Sequence, residues 1–501
     1  MRDWLDEGHL AWFVIDVVAK VDTTAFHARH RNDGPGRPAY NPDMMLTLLF
    51  YAYGTGMRSS RRIEAACRTD AAFRVICGNG TPDHATIARF LVDHETAIAA
   101  TFVDVLRLCV AAGLVSPATI AIDGTKIAAD AALDRNRGSE WIRAQVEQML
   151  AEAAAIDAAE DAQDGLFGLD SPHCEVSTRA GRLARLEAAL ARIEAEDAAE
   201  EANATAAAAN ARQAAAEGRK LRGRKPNDPH ARLARAEADY AATLTRAETR
   251  TAHLAAQNRR AAALGRKPMG HKPGPDRRLE AVAAALEAAQ AAAGSVPAPA
   301  ATPTQANITD PDSRIMKTKD GFVQGYNCQA AVDANQVVVA CSVTQQANDL
   351  RQYQPMVDAT VAALTAAGIT EPIGIVLADA GYWSETNATA EGPDRLIATV
   401  KDWKQRRAAR DLGTTTGPPP ATASTLEAME HRLRTPQGAA TYAKRSHTVE
   451  PVFADDKHNH GYDTFRRRGL AAAASEWALI NISHNLGKLF RHQAATPLAV
   501  T

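Results

Sequence analysis

The chain has 501 residues, 57 Lys plus Arg against 59 Asp plus Glu, and a formal net charge of -2. That length is too great for one ordinary core and predicts two or three domains. The balanced charge excludes a global basic field, so nucleic-acid contact would have to run through local patches. The six cysteines (Cys67, Cys77, Cys109, Cys174, Cys328, Cys341) form no C-x-x-C pair and no Cys/His zinc spacing, which predicts reduced thiols in a cytosolic protein. No apolar run is long enough to span a bilayer, and the acidic, amphipathic start "MRDWLDEGHLAWFVID" does not read as a signal peptide. A cytoplasmic location follows as an expectation.

From residue 1 to about Ala112 the pattern is helical. In "NPDMMLTLLFYAYG" Asn41 is placed to cap, Pro42 suits the first helical position, and Met45, Leu48, Leu49 and Ala52 share a face. Asp83 is a second expected cap, before Ile87 and Phe90. Arg58, Arg61 and Arg62 sit at the mouth of another short helix. Short helices joined by tight turns suit a small DNA-binding module, and an ordinary helical domain with solvated arginines has the same pattern. "ATIAID" then reads as a buried strand that ends at Asp123 and Gly124.

An alanine-rich stretch follows, from about Gly138 to Ala293. Leu183, Leu186, Leu190 and Ile193 fit the seam of a short coiled coil, and two further helices are marked by Leu233, Tyr240, Leu244 and by Leu279, Val282, Leu286. The basic linkers "EGRKLRGRKPNDPH" and "LGRKPMGHKPGPDRR" separate them. "RGRKP" loosely resembles a minor-groove AT-hook, but a solvated hinge is the preferred reading. A Pro/Ala linker closes the insertion.

The sheet pattern resumes at Asp310. Two β-rich runs flank a short turn at Ala334 and Asn335, as in an antiparallel hairpin. An amphipathic helix follows, with Asp349 as its expected cap. "IGIVLADAGYWSETNA" then gives strand, Asp379, tight turn and a helix capped by Ser384. "DRLIATVKDW" is a further strand, and the chain is helical from Leu426 onward.

Two strands about 250 residues apart thus each end in an aspartate that the apolar run does not need. Strand ends are where ligands bind in open α/β sheets. One such residue alone reads as a turn cap. Two of them, in this order of elements, point to metal-assisted phosphodiester chemistry, in which two Mg2+ ions activate a nucleophile and stabilise a leaving oxygen. A third carboxylate would have to come from the C-terminal helices.

The order strand-Asp123, insertion, hairpin, helix, strand-Asp379 and acidic helix resembles the RNase H-like core of DDE transposases. The blocks "TDPDSRIMKTKDGFVQGYNCQAAVD", "NDLRQYQPM", "ADAGYWS" and "RTPQGAATYAKRSHTVEPVF" are similar to bacterial insertion-sequence transposases with a Tyr-Arg-Glu-Lys signature. So is "RPAYNPDMMLTLLFYAYGTGMRSSRRIE". The signature falls on Tyr442, Arg445, Glu450 and Lys457. Four residues separate Arg445 from Glu450, where the broader signature has three.

The resemblance implies an RNase H-like mixed α/β sheet flanked by helices, with a helical DNA-binding domain over 1–115. The catalytic domain would be split into 116–137 and 305–501 by a helical insertion over 138–304. It implies Asp123, Asp379 and Glu450 as catalytic, metal-holding residues for two Mg2+ (or Mn2+) ions. Tyr442, Arg445 and Lys457 would contact DNA beside Arg58, Arg61 and Arg62. Glu450 and Lys457, seven residues apart, would share one face of a continuous helix.

The implied activity is binding of terminal inverted repeats, strand cleavage and strand transfer, by a homodimer or higher oligomer associated with the nucleoid. A repurposed DNA-binding protein and a nuclease without strand transfer are the alternatives. Glu476 is the rival third acid, read as a packing residue; Asp130, Asp312 and Asp333 are weaker rivals. His447, His458 and His460 read as exposed or DNA-facing, because Mg2+ prefers oxygen.

Overall fold

A computed structural model describes residues 2–28, 39–161, 179–217, 229–264, 276–294, 304–319, 321–400 and 413–495. The AT-hook-like stretch, most of both basic linkers and of the Pro/Ala linker, Cys174 and the end of "DRLIATVKDW" lie outside them. The chain divides into two compact units. One is Met1–Arg135 with Asn307–Thr501, and the other is Asn136–Ala306.

In chain order the first unit opens with helices α1 (Leu10–Val18), α2 (Thr24–His27), α3 (Pro42–Gly54), α4 (Ser60–Thr69), α5 (Ala71–Ile76), α6 (His84–Asp93) and α7 (Glu95–Ala111). Strand β1 (Thr119–Ala128) follows. The second unit contains β2 (Asn136–Gly138), the helices α8 (Ser139–Asp161), α9 (Arg179–Ala216), α10 (Pro229–Ala263) and α11 (Arg277–Gly294), and β3 (Gln305–Asn307), which pairs with β2. The first unit resumes with β4 (Arg314–Thr318), β5 (Gly321–Asp333), β6 (Val338–Thr344), α12 (Tyr353–Ala366), β7 (Ile375–Ala378), α13 (Glu385–Thr389) and β8 (Asp394–Ile397). It ends with α14 (Thr425–Arg434), α15 (Pro436–Thr448), α16 (Glu450–Ala454), a π-helical turn over Asp455–Asn459, and α17 (Leu470–Ala495).

Local chemistry sets several of these boundaries. Asn41 accepts from the backbone N–H of Asp43 at 2.8 Å, and Pro42 needs no donor partner in the first turn of α3. Asp83 accepts from Thr86 N at 2.8 Å, and Ser384 from Asn387 N at 3.0 Å. The turn after β5 is longer than the expected two residues. Asp333 accepts from Asn335 N and Val337 N, and Gln336 takes a φ of 64°. Asp333 is thus a turn-holding residue, buried from solvent.

The sheet is mixed. The long strand β5 pairs antiparallel with β1 along one edge and with β4 and β6 along the other. On its far side β1 pairs parallel with β7, and β7 parallel with β8. Helix α17 packs on β6, α7 and α3, and α12 on β5 and β6. Asn485 of α17 bonds both backbone groups of Val338, at 2.9 and 2.8 Å, and Trp477 Nε1 donates to Gln329 O at 3.0 Å. Each such group, if buried unpaired, would cost about 1–3 kcal/mol. One hydrophobic core runs from Val14 and Leu48 through Val105, Ile120, Val332 and Leu377 to Trp477. The N-terminal helices therefore share the core of the sheet.

In the second unit α9 packs against α8 and α10, and α10 against α11. Leu186 and Ile193 are buried, while Leu183 and Leu190 are half-buried. Ala189, Ala214, Ala231 and Ala238 are fully buried. The high alanine content thus supplies small side chains at helix contacts. The sequence marks three helices here; α8 is a further one among the described residues.

Candidate active site at the strand ends

In the parallel pairing of β1 with β7, Ile122 stands opposite Ala378. The next residues are Asp123 and Asp379, which stand side by side; Asp379 follows the end of β7, but the expected end of the first strand at Asp123 is not found, because β1 runs on to Ala128 in its pairing with β5. Asp379 accepts from Gly381 N at 2.7 Å, and Asp123 Oδ1 from Gly124 N at 2.9 Å. Burial pushes the Asp123 carboxyl up to about 6; Arg445 opposes that shift, while Asp379 and Asp349 add to it.

Helix α15 brings the cation. Tyr442 OH donates to Ala378 O at 3.3 Å, which docks the helix on the end of β7. One turn later, Arg445 donates through one terminal nitrogen to Asp123 Oδ2 at 2.5 Å and through the other to Glu450 Oε1 at 3.2 Å. Its Nε is buried without a hydrogen-bond partner among the described residues. A single guanidinium therefore joins Asp123 to Glu450. The Glu450 side chain stays 57% exposed, open to solvent and to a large ligand.

The sequence reading puts Glu450 and Lys457 on one face of a continuous helix. The structure interrupts it. Helix α16 ends at Ala454, and the π turn over Asp455–Asn459 changes the angular step between residues. Lys457 Nζ donates to Lys126 O at 3.0 Å, so its ammonium is anchored to β1.

Arg58 departs from the expected DNA-contacting set. Its guanidinium is buried, donating to Thr464 O and Gly461 O, each at 2.7 Å, and to Glu476 Oε1 at 3.3 Å, and it lies over the Tyr462 ring. The side chain has no surface left for a phosphate; the reason is its placement in the turn between α3 and α4, under the returning C-terminal chain. Arg61 and Arg62 are exposed on α4. Glu476 is the buried partner of Arg58 and also accepts from Arg466 N. Its oxygens are committed to packing.

The remaining rivals are structural as well. Asp130 pairs with Arg468 at 2.9 Å, and Asp312 accepts from Leu470 N at 2.9 Å at the start of α17. His447 and His458 are exposed, and His460 stacks on Tyr462.

One acidic residue at the site is read differently in the sequence. Asp349, the expected cap of α12, does not cap it: the N-cap is Gln352, which forms no side-chain cap bond. Instead Asp349 Oδ1 accepts from Asn327 Nδ2 at 2.7 Å and Gln329 Nε2 at 2.9 Å, with Lys126 Nζ at 3.4 Å. Gln329 also accepts from Tyr382, three residues after Asp379. The signal lay in β5, where Asn327 and Gln329 repeat at a two-residue step in an otherwise apolar run and so share one face.

The donor set is all oxygen, the chemistry preferred by Mg2+ or Mn2+. Asp123 and Asp379 fit such an ion, and a cradle supports them: a Cβ at Gly381 would lie 2.7 Å from Asp379 Oδ1 and 3.2 Å from Asp349 Oδ2. Glu450 reaches the pair only through Arg445. Among the described residues no three acidic, His or Cys side chains converge as a ready-made ion cage.

Comparison with known families gives two matches, one at each end. Residues 1–93 match the model "Transposase domain (DUF772)", and residues 404–490 match "Transposase DDE domain". The second covers α14 to most of α17, and so includes Tyr442, Arg445, Glu450 and Lys457. No curated protein and no solved structure matches. Among the described residues no helix is long and apolar enough to cross a membrane.

Proposed function

We propose that this chain, whose two ends match transposase domain models that together support an insertion-sequence DDE transposase, cleaves and joins DNA at Asp123, Asp379 and Glu450. The observation that carries the reading is the meeting of Asp123, where β1 passes the end of β7, and Asp379, just after that end, with Arg445 linking Asp123 to Glu450 from the matched C-terminal segment. The strand order β6-β5-β1-β7-β8, antiparallel on one side of β1 and parallel on the other, supports an RNase H-like sheet.

Bound Mg2+ or Mn2+ would supply the acidity that activates a water or a 3′-hydroxyl and offsets charge on the leaving oxygen. Asp123, Asp379 and Glu450 are the residues that would hold it. The chain's own groups do the rest. Arg445 offsets carboxylate repulsion and orients Glu450, and it presents a charge-assisted fork to a phosphate once Glu450 turns away. Tyr442 keeps α15 seated on β7. Lys457 ties the π turn to β1. Exposed Arg61 and Arg62 offer the local positive patch that a chain of near-zero net charge needs for DNA. A homodimer or higher oligomer on inverted-repeat ends completes the reading.

The test uses purified full-length protein, the DNA that flanks its gene, and Mg2+. Joining of cleaved ends to target DNA is the expected result. Cleavage without joining would favour a nuclease, binding alone a repurposed DNA-binding protein, and full activity of Asp123→Asn would remove the site.

A further inference from the structure

Strand β1 runs past the end of β7, and beyond that point Gly124 leaves a gap where every other residue would project a side chain. A Cβ at Gly124 would stand 2.6 Å from Asp349 Oδ1 and 3.0 Å from Asn327 Oδ1. The Gln329 amide nitrogen comes closer still, so the gap is filled by the Gln329 amide together with the Asp349 carboxylate. One of its oxygens takes donors from Asn327, Gln329 and Lys126. The other accepts no hydrogen bond among the described residues and faces the cradle that it shares with Asp379.

This is an unfavourable place for a carboxylate whose only task is to close a turn. Like charges face each other across a glycine, on two half-buried side chains, and like charges repel. A neutral Asn would serve the turn without that penalty. The arrangement makes sense if negative potential at this point is used. Two amides and one ammonium hold Asp349 by its far oxygen, which keeps the near oxygen directed at Asp379. Lys126, on the far side, partly offsets the charge.

The geometry points to Asp349 as a positioning residue of the active centre: a fourth carboxylate, held by Asn327, Gln329 and Lys126, whose charge strengthens cation binding at Asp123 and Asp379. The inference rests on the proposed reading of those two aspartates as cation-holding groups. It goes beyond that reading by assigning opposite effects to two residues, Asp349 as the charge that attracts and Lys126 as the charge that limits.

Mn2+ binding to the full-length, DNA-free protein tests it, read from loss of the free-ion electron paramagnetic resonance signal, with thermal unfolding alongside. Asp123→Asn reports on the underlying reading and should abolish binding. Asp349→Asn should weaken binding by about tenfold, the effect of removing one nearby charge from a divalent ion. Lys126→Met should tighten it several-fold. A residue that merely shapes the turn would not produce opposite signs.

Binding within twofold of wild type in Asp349→Asn, when Asp123→Asn has lost it, overturns this inference alone. No Mn2+ binding by the wild type, or none lost in Asp123→Asn, overturns the underlying reading and this inference with it. If Asp349→Asn does not fold, Lys126→Met decides: tighter binding supports the role of Asp349, and unchanged or weaker binding overturns it.

Discussion

Two glutamates compete for the role of third acid, and the structure predicts opposite consequences for them. Glu476 is 2% exposed and accepts from Arg58 and from Arg466 N. Replacing it by Gln leaves the buried Arg58 guanidinium without its counter-charge, although Thr464 O and Gly461 O still accept from it. Breaking a buried pair from one side costs about 3–5 kcal/mol, and the two remaining acceptors put this case near the lower end. In a unit of this size each kcal/mol moves Tm by roughly 2 °C, so Glu476→Gln should melt about 6 °C early.

Among the described residues the Glu450 side chain has one hydrogen bond, to Arg445, and it is 57% exposed, so Glu450→Gln should change Tm by less than about 2 °C, as for a surface pair. On the proposed reading of Glu450 as the third acid, its cleavage of element ends should fall by about 100-fold or more. Thermal unfolding by circular dichroism and a cleavage assay on the same preparations separate the two effects. A Glu476→Gln protein with wild-type Tm and no cleavage, beside an active Glu450→Gln protein, would refute the reasoning.

Three further outcomes follow from the geometry. Gly124→Ala drives a methyl group against Gln329, Asp349 and Asn327 and should cost about 1–3 kcal/mol in urea denaturation; an unchanged midpoint would contradict the close approach. In Arg445→Met the Asp123 carboxyl, already pushed up by burial to about 6 from the ordinary range of an aspartate, about 4, loses the charge that opposes the shift. A folded-state pKa above the unfolded one means stability falls as pH rises through that interval, so the variant should lose more stability than wild type between about pH 4 and 7, by roughly 1–2 kcal/mol. Asp456 is buried in the π turn, and burial raises its carboxyl to about 7, with Asp455 adding to the shift and His484 and Lys457 opposing it. By the same sign its cost grows from acid to neutral pH, and Asp456→Asn should gain about 2–3 kcal/mol more stability at pH 8 than at pH 5; a gain independent of pH would show that the charge is not the cause.

Local chemistry made much of this chain readable as a sequence. Asn41, Asp83 and Ser384 cap the helices that their positions predict, because a cap needs only the two or three residues that follow it. Asp123 and Asp379 stood out because each follows an apolar run that has no local use for an acid, although β1 continues past Asp123 to Ala128. The parallel register that sets them side by side is a long-range fact, and so is the guanidinium of Arg445 between Asp123 and Glu450.

The misplaced residues share a cause. Arg58 reads as a solvated member of an arginine cluster, and only the returning segment from Gly461 to Thr464, with Glu476, buries it. Asp349 reads as a cap because it precedes a helix; partners on β5, twenty and more residues away in sequence, and on β1, more than two hundred away, turn it toward Asp379. The seven-residue step from Glu450 to Lys457 assumes an unbroken α-helix, whereas a π turn changes the angle per residue.

By itself, then, the sequence determined the caps at Asn41, Asp83 and Ser384, an acid after each of two apolar runs and the helical character of the alanine-rich stretch, all properties of neighbours along the chain. Tertiary structure alone decided which charges meet. A charge's role depends on burial and on what stands within a few ångströms, and for Arg58, Asp349 and Glu476 those neighbours come from distant parts of the chain.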